Sequence, residues 1–182
     1  EDYNAKKIDG YHAERRFSTE YKQRLRKKYM YVLDMPIRLK PDQRPKYRMI
    51  HVSNHEAGCL LMADNMSARS DELFIEIQQK GQMSLFDYNL ENELVNKDYI
   101  HKKMETFLLN FPNGQSAEKL IALFFTEYGV LCKSGVIRKI WDEMEKSGFI
   151  EVTRKPAITK TGRPSAFFTE GKNQSVTIRR KP

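Results

Sequence analysis

The long cations near the C-terminal end of this chain are the residues whose types and spacing point most directly at chemistry. Lys133, Ser134, Arg138 and Lys139 fall on one expected helix, and Arg154, Lys155, Lys160, Arg163, Arg179 and Arg180 lie in the strand pair and loop that follow it. Contact with phosphates needs long cations on a groove-facing helix and on a flexible loop beside it. The pattern predicts a nucleic-acid surface, for DNA before RNA. Asp142, Glu143 and Glu145 on the same helix oppose that reading, because a carboxylate facing the duplex is repelled unless it reads a cytosine amine. The alternative is a solvated basic surface on a packing or protein-interaction module.

Gln82-Met83-Ser84-Leu85-Phe86 is a second chemical signal. Glutamine can hydrogen-bond in a small polar site while leucine and phenylalanine fill an apolar pocket, and a linker presents such a peptide with little strain. The five residues resemble the pentapeptide by which bacterial proteins dock on the replicative sliding clamp. On that reading Gln82, Leu85 and Phe86 bind a partner. The bland alternative is that Met83, Leu85 and Phe86 pack against the chain's own body.

His51, His55 and Glu56 are the residues that would suggest a metal. The two histidines straddle a strand-to-helix junction rather than one helical face, and no Cys or Asp completes a set at ligand spacing, so no metal site is expected. No serine, cysteine or lysine stands in a recognisable nucleophile context, and no G-x-G-x-x-G or phosphate loop occurs. Neither a catalytic residue nor a cofactor-holding loop is therefore expected within this chain.

The elements that must position these groups follow from periodicity. Phe17, Tyr21 and Leu25 recur at helical spacing between Gly10 and Lys28, with Arg15, Arg16, Lys22, Arg24, Arg26, Lys27 and Lys28 between them, which predicts a basic amphipathic helix. A strand over roughly Met30 to Leu39 follows, then a proline-containing connection, then Tyr47 to Met66, where strand character passes directly into a helix. Ser67 to Ser70 are expected to break that helix. From Leu94 onward the pattern predicts helices over Lys97–Asn110, Ala117–Tyr128 and Lys133–Ser147, with Ser116 as a cap and glycines at the stops. Phe149 to Lys155 and Ser175 to Lys181 then read as strands around a basic loop. Three helices and a closing hairpin in this order describe a winged helix.

The totals bound the partner and the compartment. The chain has 182 residues and a formal net charge of +8, which favours an anionic partner, nucleic acid first. Its 2 cysteines, Cys59 and Cys132, sit in apolar helical patterns rather than in a disulfide or metal spacing, which fits a reducing cytoplasm. No apolar run approaches a membrane span and no signal peptide is visible, so no membrane partner is expected. The chain begins at Glu1, which fits a trimmed piece of a longer protein.

Two strands and two helices are few for an α/β layer, and YVLDMPI, YRMIHVSNH (Tyr47 to His55), Gly58, Met62 and Leu85-Phe86 stand in a telling order. That order resembles the C-terminal half of the three-Cys-motif partner protein family of bacteria and their phages. Glu56 and Ala57 depart from the proline-containing turn expected after His55. The resemblance implies an α+β chain: residues 1–70 as the end of a Rossmann-like, methyltransferase-like domain, residues 71–93 as a linker, and residues 94–182 as a winged helix. It also implies that the half binding S-adenosylmethionine is absent from this chain, whose part would be recognition of nucleic acid or of a companion protein.

Overall fold

Asp9 accepts the His12 amide at 2.9 Å and so starts α1 (Gly10–Arg26). The computed structural model describes residues 9–37, 45–81 and 96–181, in an α+β arrangement. β1 (Tyr31–Ile37) pairs antiparallel with β2 (Tyr47–Ser53) in unbroken register, from Tyr31 opposite Ser53 to Ile37 opposite Tyr47. Residues 31–35 of β1 are all buried, without the alternation of a half-solvated strand. The physical reason is that β1 has a helix on each face: α1 packs on one side, α2 (Glu56–Gly81) on the other.

α1 turns a different face inward from the one its apolar spacing predicts. Phe17 and Tyr21 are exposed, Leu25 is half-buried, and the buried position is Ser18. The contact is ionic. Asp34, almost fully buried on β1, accepts from Lys22 of α1 at 2.5 Å and from Arg48 of β2 at 2.7 Å, while Arg48 also pairs with Glu14 of α1. Two cations and two carboxylates neutralise one another under the helix. Burial alone would depress the Arg48 guanidinium, but its bonds to Glu14 and Asp34 outweigh that and raise its pKa.

The break expected at Ser67 to Ser70 does not occur. α2 runs through these residues and across residue 70. The segment holds no glycine or proline, Ser67 packs inward, and Arg69 pairs with Glu72 one turn on. Serine is only mildly unfavourable inside a helix when packing and side-chain pairs support it.

The rest of the chain is α3 (Lys97–Leu108), β3 (Gln115–Ser116), α4 (Ala117–Tyr128), α5 (Ser134–Lys146), β4 (Ile150–Lys155) and β5 (Ser175–Arg180). β5 lies between β3 and β4 in an antiparallel sheet. Asn96 caps α3 and Ser116 caps α4 through the Tyr99 and Lys119 amides. Gly129 ends α4 with a φ of 83°, and its amide bonds Phe125 O. One apolar cluster runs from Tyr31 and Leu33, through Cys59 and Met66 of α2 and the ring group Phe107, Phe124 and Tyr128, to Trp141, Val176 and Ile178. The outer edge of β1 is closed by α4 and its exit, where Thr126 Oγ1 accepts the Val32 amide and Asp34 O accepts the Val130 amide. Among the described residues, no strand lies along the outer edge of β2.

Candidate nucleic-acid interface

The β4–β5 loop is built around one tight turn. The Thr159 amide donates to Arg163 O at 2.8 Å, the Gly162 amide to Thr159 O at 2.9 Å, and the Arg163 amide to Thr159 Oγ1 at 3.2 Å. Gly162 has a φ of 78° with open space where a side chain would stand. Below the turn, Ile158 bridges to Pro164 and the Ser165 amide reaches Ala157 O. Lys155, Lys160 and Arg163 are exposed on this structure, without an ion-pair partner among the described residues. No carboxylate occurs from Lys155 to Thr169. The result is a fixed, purely cationic protrusion.

Arg154 belongs to the machinery that fixes the loop. Its side chain is 9% exposed, donates to both Glu145 carboxylate oxygens at 2.7 and 2.6 Å and to Phe167 O at 2.9 Å, and lies over the Phe168 ring. Phe168 in turn packs on Trp141. Glu145 is thereby neutralised inside the protein, and Asp142 pairs with Lys146 at 2.6 Å.

The start of α5 faces α2. Ser134 is buried and donates its amide and hydroxyl to Asp64. Arg138 donates to the Ser134 hydroxyl at 3.0 Å, and its Nε is buried with no hydrogen-bond partner. Lys133 pairs with Asp71 at 3.3 Å. Lys139 is exposed, alongside Glu143 and Lys146. The residues expected to share one helical surface are thus divided: Lys133 and Ser134 pair with α2, Arg138 bonds Ser134, and Lys139 is left outward.

Arg179 and Arg180 stand at the other end of the ladder. The register sets Arg180 opposite Ile150 and Ser175 opposite Lys155, so five residue steps, about 17 Å, separate them from the turn's end of the sheet. Arg179 pairs with Glu151, and Arg180 covers the Phe149 ring. With Lys181 they line a groove of about 440 Å³ beside Leu108, Leu109 and Pro112. Lys172, which the sequence pattern does not single out, is exposed on a small turn closed between Gly171 and Gln174, directly before Ser175 and so at the end of the sheet that bears Lys155. Only its place before the closing strand could have drawn attention to it.

Gln82, Leu85 and Phe86 lie outside the described residues. His55 sits in a turn in which its amide donates to Ser53 Oγ, and His51 Nε2 is buried with no hydrogen-bond partner. Among the described residues no cluster of three or more His, Cys, Asp or Glu is placed to hold a metal, and no helix is long and apolar enough to cross a membrane. Burial pushes both thiols, Cys59 and Cys132, up to about 12, so neither is a ready nucleophile. No protein-family model, curated protein or solved structure matches this chain.

Proposed function

We propose that residues 94–182 are a winged helix that binds nucleic acid, duplex DNA first, chiefly through phosphates along its wing. The observation that carries this reading is the turn from Thr159 to Arg163, braced by its own hydrogen bonds and presenting Lys160 and Arg163, with Lys155 exposed at the end of β4 before it and no carboxylate between residues 155 and 169. Lys139 and Lys172 are the further contacts the geometry favours. Because Lys133, Ser134 and Arg138 serve the α2 contact, binding is mainly electrostatic, with little reading of base edges.

The test replaces Lys155, Lys160 and Arg163 by alanine and leaves Arg154 in place, since Arg154 holds the loop. Fluorescence anisotropy with a labelled duplex, between about 50 and 200 mM salt, should show weaker binding and a salt slope lowered by about 0.9 for each phosphate that is no longer neutralised. Wild-type affinity and slope in a folded variant would exclude the wing.

For the first part of the chain we propose the end of a larger, methyltransferase-like α/β sheet. Two features support it: β1 is covered on both faces like a strand of an α/β layer, and the seven-residue outer edge of β2 has no strand beside it among the described residues. The residues after β2, Asn54 and His55, give no glycine-rich turn for S-adenosylmethionine, so no reaction step is derived for that group. Binding of S-adenosylmethionine to a longer form, measured by calorimetry, would favour the substrate-recognition version of this reading.

A further inference from the structure

α1 exposes what a docked helix ordinarily hides. Phe17 is 73% and Tyr21 44% exposed, and their rings lie parallel within 4° at a centroid distance of 6.3 Å. Arg24 continues the same line at i+7 from Phe17, and Lys27 and Lys28 follow at the helix end, all three exposed. The charges of this segment are sorted. Glu14 is taken by Arg48 and Glu20 by Arg16, Lys22 by Asp34, and Arg26 by the Thr126 carbonyl. Arg15, Arg24, Lys27 and Lys28 are left without an ion-pair partner among the described residues, and both carboxylates of the helix are neutralised. The buried ionic contact with β1 and β2 holds the helix in one orientation, so the stripe is a preset surface.

We infer that this stripe is a second nucleic-acid site, one that takes unpaired bases: Phe17 and Tyr21 offer ring faces for stacking, and Arg24, Lys27 and Lys28 take the adjoining phosphates. Sequence-tolerant binding of single strands combines these two components, stacked aromatics and a cationic track. A duplex keeps its base faces inside the stack and cannot use the rings. A membrane surface is disfavoured because an interfacial helix needs a broad apolar face, and here two exposed rings are flanked by charge. The inference does not depend on the wing, which meets its ligand through phosphates alone.

The full chain should bind a labelled thymidine oligomer of about 16 nucleotides, and the matching uridine oligomer, with Phe17→Ala and Tyr21→Ala together weakening it by about tenfold or more. The salt slope should stay unchanged in that variant and fall in Arg24→Ala with Lys28→Ala. Phe17→Trp should keep the affinity that Phe17→Ala alone loses, and the variant lacking the wing cations should keep single-strand binding. Both rings are exposed, so circular dichroism should report an unaltered fold. The inference is overturned if the double ring variant binds the thymidine oligomer like wild type, or if an abasic oligomer binds wild type as tightly as the thymidine one. It is equally overturned if loss of the rings leaves single-strand binding intact and converts a dimer to a monomer in sedimentation, which would make the stripe a contact between copies.

Discussion

Asp64 of α2 caps α5 from outside: its Oδ1 accepts the Ser134 amide at 2.6 Å and its Oδ2 the Ser134 hydroxyl at 2.8 Å. Lys133, at the N-cap position of α5, makes no side-chain cap bond. The first turn of α5 therefore takes its acceptor from a residue 70 positions earlier in the chain, and α2 becomes part of the helical unit that follows it. The same contact holds Ser134 and Arg138 beside α2.

Asp64→Ala removes the cap and leaves the buried Ser134 hydroxyl short of its acceptor. The expected loss is about 2 kcal/mol, above that of an exposed cap because the group left behind is buried. Asp64→Asn keeps one carbonyl acceptor and should lose about half as much. Urea denaturation followed by far-ultraviolet circular dichroism measures both. Equal stability of the alanine variant and wild type would show that the cap is dispensable.

The ionic docking of α1 makes a sharper prediction. Asp34→Ala leaves Lys22 and Arg48 facing one carboxylate where there were two, in a site where the Lys22 and Arg48 side chains retain only 20% and 21% of their exposure. Breaking one partner of a buried pair costs about 3–5 kcal/mol, and the residual exposure puts the expected loss near the lower end. Glu20→Ala breaks only the exposed pair with Arg16 and should cost about 0.5 kcal/mol or less. Urea midpoints of the two variants compared in one buffer decide it. Added salt should narrow the small effect and hardly change the large one.

That docking also marks where the sequence runs out. From Lys97 on, the apolar residues repeat at 3.6 or 2, and Asn96, Ser116 and Gly129 stand at the ends where caps and stops belong, so α3, α4, α5, β4 and β5 are legible. Phe17, Tyr21 and Leu25 repeat just as clearly, yet the helix turns Ser18 and Lys22 inward, because Asp34 and Arg48 lie beneath it and an ion pair across 12 residues leaves no periodic trace. Ser67 to Ser70 look like a break for the complementary reason: their helix is held by tertiary packing that propensity cannot register. In the candidate interface, Lys155, Lys160 and Arg163 are legible as exposed cations. Arg154 is indistinguishable from them in sequence, and only its bonds to Glu145 and Phe167 set it apart.

Gly129 joins the two parts of the chain and predicts an asymmetry among the glycines. At a φ of 83°, a Cβ on Gly129 would stand 2.8 Å from Asp34 O, which is the acceptor of the Val130 amide. Gly129→Ala thus combines left-handed strain with a backbone collision and should cost about 3 kcal/mol. Gly148 has a φ of 78° and open space, so Gly148→Ala should cost only about 1 kcal/mol, the strain alone. Thermal unfolding of the two variants, compared at a common temperature, tests the difference.

Stability should fall on the alkaline side for reasons located in three buried groups. Burial raises Cys59 and Cys132 from 9.0 to about 12, and burial followed by the bond to Glu56 raises the Tyr31 hydroxyl. In each case the folded form keeps its proton at a pH where the unfolded chain releases it. The contribution is complete below the ordinary thiol value and declines as pH rises from there toward the folded value, by about 1 kcal/mol per pH unit for each thiol. Glu56 works in the opposite sense: the Tyr31 hydroxyl lowers its pKa, so its contribution is present above the ordinary carboxylate range and lost as pH falls below it. Urea unfolding at about pH 7 and pH 10.5 should show the alkaline loss in wild type and a shallower one after Cys59→Ala and Cys132→Ala. At neutral pH a thiol reagent should modify neither cysteine until the chain unfolds, because both are buried as neutral thiols. Rapid modification of the native protein would mean that α2 or the α4–α5 connection opens far more readily than its packing allows.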